Sequence, residues 1–98
     1  MAKNRAEIAA ENAHLLAIEG LSFIVNDQEV LDRFMSLSGL APDDFRVAAG
    51  EPEFLAGVLA FLMDHEAVLL AFAANAGISP DRVASAHLAL SGAPVWDS

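Results

Sequence analysis

Three imidazoles, His14, His65 and His87, are the side chains of this sequence best suited to ligate a metal or move a proton near neutral pH. No two of them stand four apart on one helix, the spacing that lets two ligands share a face. The run Asp64-His65-Glu66 gathers three metal-capable groups, but successive residues point in different directions. Acids at a helix break also have a capping role of their own. His87 falls on an apolar stripe, the place of a packing histidine with one polar edge. The sequence leaves open whether the fold brings the three rings together. Nucleophiles are few, since Cys, Thr and Tyr are all absent. Ser85 and His87, two residues apart on a helix, face apart. None of the glycines forms a phosphate-cradling run. With no acid, base and nucleophile to place in roles, we expect no catalytic residue, no metal and no cofactor: not an enzyme.

One stretch suggests a different chemistry. FAANAGISPDRV, Phe72 to Val83, has the spacing of a helix-turn-helix: a small residue at Ala73, a turn at Gly77, an apolar plug at Ile78 and Val83 in the next helix. A DNA reader also needs base-reading side chains and cations for phosphates. The helix after Pro80 offers only Asp81, Arg82, Ser85 and His87. The net charge of −9, with 5 Lys and Arg against 14 Asp and Glu, repels a polyanion and leaves little for counterion release. The expectation is a helix corner without nucleic acid. A DNA-binding regulator stays as the alternative, and a small-molecule binder or unrecognised enzyme as the third reading.

Ninety-eight residues make a single domain. The apolar fraction of 55% is more than so short a chain can readily hide, which points to an interaction module with a protein partner or a homodimer. The absence of Cys fits the cytoplasm. The longest uncharged apolar run, Phe54 to Met63, is half of what a membrane span needs, so we expect a core and no membrane. Glu7, Glu11 and Glu19 interrupt anything resembling a signal sequence.

The elements that position these residues read as five or six helices in an all-α bundle. The first, Ala6 to Val25, is apolar nearly all round in its second half, which predicts a central, buried helix. Asn26 or Asp27 caps the second, Asn26 and Glu29 having the capping-box spacing. That helix runs to Ser38 with Val30, Leu31, Phe34 and Leu37 on one face. Gly39 ends it, and Pro42 opens a short third helix that reaches nearly to Gly50. Pro52 opens the fourth, with Phe54, Leu55, Val58, Phe61 and Leu62 inward. A break at Asp64–His65 leads to the fifth, which Gly77 ends. Pro80 opens the sixth, and Gly92 and Pro94 stop it. Residues 1–5 and 93–98 are left as flexible or packing tails.

Part of this pattern occurs twice. FMSLSGLAPDDF (Phe34 to Phe45) and FAANAGISPDRV align Gly39 with Gly77 and Pro42 with Pro80 at an offset of 38 residues. The same offset relates Phe23 to Phe61, Ile24 to Leu62, Val30 to Val68 and Leu31 to Leu69. We expect two related three-helix units in one compact bundle with pseudo-twofold character. Gly39, Pro42, Gly77 and Pro80 are then structural turns. Trp96, alone in the tail PVWDS, either fills a groove on its own bundle or anchors a partner.

The segments GLAPDDFR, AGEPEFLAGVLAFLMDHEAVLLAFA and AGISPDRV, in a run from Leu21 that covers about three quarters of the chain, resemble the domain-of-unknown-function family 3572. Its members are small and mainly alphaproteobacterial. The resemblance implies a helical bacterial cytosolic protein and assigns no catalytic residues. The polar first turns and the Trp96 tail lie outside it.

Overall fold

Helix α4, Pro52–Asp64, is the element the rest of the chain encloses: Leu55, Ala56, Val58, Leu59, Phe61 and Leu62 are all buried. A computed structural model describes residues 5–91. The other helices are α1 (Arg5–Val25), α2 (Gln28–Ser38), the single turn α3 (Phe45–Ala48), α5 (Glu66–Ala76) and α6 (Pro80–Leu90). The fold is all-α, with no strand among the described residues. Helix α4 packs on α1, α5 and α6, α1 also packs along α6, and α2 reaches the core through Phe34. The stops expected at Gly92 and Pro94 and the tail with Trp96 lie outside the described residues.

Local chemistry sets the corners. Asp27, and not Asn26, caps α2: its carboxylate accepts from the N–H groups of Glu29 at 3.1 Å and Val30 at 3.3 Å. Proline stands in the first turn of α4 and of α6, where a missing N–H costs nothing. Helices α2 and α5 end on Gly39 (φ 72°) and Gly77 (φ 71°), both left-handed. A Cβ at either glycine would meet nothing within 4 Å, so a substitution there strains only the backbone. Gly39→Val and Gly77→Val should each cost about 1–2 kcal/mol, with Ala costing nearly as much. Denaturant melts that match the parent would show that these corners do not need glycine.

Three expectations are corrected. Helix α1 is not the central buried helix. Its inner face, Ala13, Leu16, Ala17, Gly20 and Ile24, is packed, while Leu15 is 60% exposed on the opposite side. Apolar residues all round it mean two apolar faces, of which the bundle uses one. Leu37 does not share the inward face of α2: it is 66% exposed, and Phe34 makes the buried contact. The third helix is a 3-10 turn, Pro42–Asp44, followed by one α-turn. Asp44 helps set that geometry, its carboxylate accepting from the Ala41 N–H at 3.2 Å.

Two aromatic contacts cross between the halves of the chain. Phe23 meets Phe72 edge-on at 5.6 Å, and Phe61 meets Phe34 edge-on at 5.2 Å. The offset of 38 carries Phe23 onto Phe61 and Phe34 onto Phe72. The first helix of each half lays its phenylalanine on the second helix of the other. The relation lapses at the third position, where α3 has 4 residues and α6 has 11.

Candidate functional site

The residues with chemistry to offer are spread over the bundle. His14 lies half-buried on α1, in a groove of about 650 Å³ shared with Leu15, Pro52 and Leu90. His87 lies half-buried on α6. His65 stands at the α4–α5 break, where the chain bends by 109°. Its Nδ1 is 2.8 Å from the Phe61 carbonyl, so the carbonyl accepts and Nδ1 carries the proton. Its ring lies over that of Phe61 at 4.3 Å. This histidine closes a turn. Asp64 and His65 border a groove of about 390 Å³ between α2 and α4, floored by Phe34, Phe54 and Phe61. Among the described residues no three His, Asp or Glu side chains gather to hold a metal ion. None of those residues buries a polar or charged side chain either. Among the described residues the buried side chains are all apolar.

The helix-turn-helix spacing takes a definite shape. Its first copy leads into α3, whose single turn is too short to lie along a major groove. Its second copy leads into α6, which packs between α1 and α4. Arg82 and Ser85 stand on the α1 side of α6, bordering a groove with Asn12 and Leu16. Arg82 is the one arginine or lysine of that helix, and Asp81 stands in its first turn. Titration of duplex DNA at low salt should therefore show no complex at micromolar protein. Binding that survives moderate salt would reinstate the regulator reading.

What the surface does offer is apolar. Along the outer side of α1 stand Ile8 (47% exposed), Leu15 (60%), Ile18 (37%) and Val25 (41%). They lie opposite the packed face along one side of the helix, with Glu11 and Ser22 between them. Sequence reasoning missed this stripe because the core and the surface faces of α1 are equally apolar. The signal that separates them is small-residue content: Ala13, Ala17 and Gly20 mark the side where other helices come close. The window Ile8–Val25 is also long and apolar enough to cross a membrane by length and composition, with mean hydropathy 1.3. Counting only uncharged runs missed it, because Glu11 and Glu19 interrupt the window. Trp96 lies outside the described residues, so neither reading of it is placed.

The family model described as "Protein of unknown function (DUF3572)" matches residues 10–93. The match begins well before Leu21, so it takes in most of α1, with Leu15, Ile18 and Val25, and it stops short of Trp96. No curated protein and no solved structure matches the chain.

Proposed function

We propose, for a chain that belongs to the DUF3572 family of proteins of unknown function, a role as a small protein-binding module without catalytic activity of its own. The observation that carries this reading is the outer stripe of α1. Four large aliphatic side chains stay in water although the same helix supplies part of the core. Exposed apolar surface organised along one element marks a contact surface, whereas single scattered residues do not. The cytoplasm is the proposed location. The inner face of α1 belongs to the bundle core, so moving α1 into a bilayer would strip that core of Leu16, Ala17 and Ile24.

The test compares proteins retained from a lysate by the immobilised wild type and by a Leu15→Glu/Ile18→Glu variant. Both positions are exposed, so the variant should fold. The expected result is a stoichiometric partner, whether a different protein or further copies of this chain, held by the wild type and lost by the variant. Identical retained sets would remove the basis of the reading.

A further inference from the structure

A groove of about 650 Å³ lies where the end of α6 meets α1 and the start of α4. His14 and Leu15 of α1, Pro52 of α4, and Ala89 and Leu90 of α6 form its walls. Leu15 is 60% exposed and Leu90 is half-buried. We infer that the occupant of this groove is the chain's own C-terminal segment, residues 92–98, with the Trp96 indole as the seated group.

Three observations carry it. First, the segment is rooted at the groove. Leu90 is both the last residue of α6 and part of the groove's wall, and only Ser91 separates it from the segment. Trp96 is six residues beyond Leu90, a stretch that spans at most about 20 Å, so it can double back over a groove that begins at its root. Second, α6 has a stop ahead of Trp96. Pro94 has no N–H to give the Leu90 carbonyl, and in a helix its ring would clash with that carbonyl. Running α6 straight on to Trp96 is therefore costly. Third, the chemistry matches. An indole is a large apolar body with one N–H donor, costly to leave in water and in need of an acceptor once covered. Leu15, Pro52 and Leu90 supply apolar walls, and the His14 ring supplies a nitrogen to accept. The groove on the other side of Ala89 fits less well: it is about 310 Å³, and Asn12, Arg82 and Ser85 line it among small residues. Seated beside α1, the indole covers the groove side of Leu15 and leaves Ile18 and Val25 of the outer stripe bare. The inference goes beyond the interaction-module reading and does not rest on it.

Trp96 is the single tryptophan and the chain has no tyrosine, so intrinsic fluorescence reads this one side chain in the intact protein. In the wild type, emission should lie to the blue of the urea-unfolded chain, and quenching by acrylamide should be several-fold weaker. The indole protons should give NOEs to the methyl groups of Leu15 and Leu90. Leu15→Asp, at an exposed position, should keep the helical circular dichroism and return Trp96 to the emission and quenching of the unfolded chain. Ile18→Asp, one turn along α1 and outside the groove, should change neither. Solvent-like emission in the wild type, NOEs only to groups other than the groove's walls, or burial that Leu15→Asp leaves intact would overturn the inference. Burial that appears only as protein concentration rises would overturn it too, by putting the segment on a second copy. Each of these results leaves the stripe of α1 free to bind a partner as before.

Discussion

Phe72→Ala should lower stability by about 3–5 kcal/mol, the range for truncating a fully enclosed aromatic. Phe72 is 1% exposed and sits where the two halves of the chain meet, edge-on to Phe23 and beneath the close approach of α1 to α4. A domain of this size holds only ~5–15 kcal/mol in total, so the variant should unfold at low denaturant or fold only in part. Phe23→Ala should cost less, because Phe23 is half-buried. A double-mutant cycle across the pair should return a coupling of about 0.5–1.5 kcal/mol beyond burial. The cycle on Phe34 and Phe61 should return a coupling of the same size, because the offset of 38 relates the two pairs. Unequal couplings would mean that the repeat is sequence pattern without matching energetics. A Phe72→Ala melt within ~1 kcal/mol of the parent would mean that the site collapses around the loss.

The corners of this fold were legible because they depend on residue types with few alternatives. Gly39 and Gly77 sit where only a residue tolerant of positive φ does well, and Pro52 and Pro80 sit where a helix can begin without an N–H. The inward stripe of α4 was legible for a similar reason, since Leu55, Val58 and Leu62 recur at helical spacing and all are fully buried. What could not be read is which of two equally apolar faces a helix turns inward. That is decided by the partners available: Leu16 meets the bundle and Leu15, next to it, does not. Leu37 fails in the same way, because the segment after α2 folds into a turn and one short helix and leaves it 66% exposed. The candidate surface was foreseen only as an excess of apolar residues. Its place on α1 needed the fold. The histidines were visible as chemistry, but their separation depends on distances between helices that no spacing in the chain encodes.

Gly20→Leu should cost about 1–3 kcal/mol by overpacking, although leucine is among the better helix formers. A Cβ at Gly20 would stand 3.0 Å from Leu62 Cδ1, 3.6 Å from Val58 Cγ1 and 3.9 Å from Phe72 Cζ. Leu62 and Val58 are fully buried, so neither can swing aside into solvent. Gly20 is therefore where α1 comes against α4, and the offset of 38 carries it onto Val58, one of the residues it touches. A large side chain at Gly20 must push the two helices apart or force buried neighbours off their rotamers. Gly57, in the interior of α4, is the matched control. It is exposed, and a Cβ there would meet nothing within 4 Å. Gly57→Ala should stabilise by about 0.5–1 kcal/mol through lower backbone entropy in the unfolded chain. If Gly20→Leu raises the melting point as Gly57→Ala should, propensity governs both and the close approach of α1 to α4 is wrong. Opposite shifts would locate the tightest contact of the bundle at Gly20. That result would also fix which side of α1 faces inward, with Leu15 and Ile18 on the side turned to solvent.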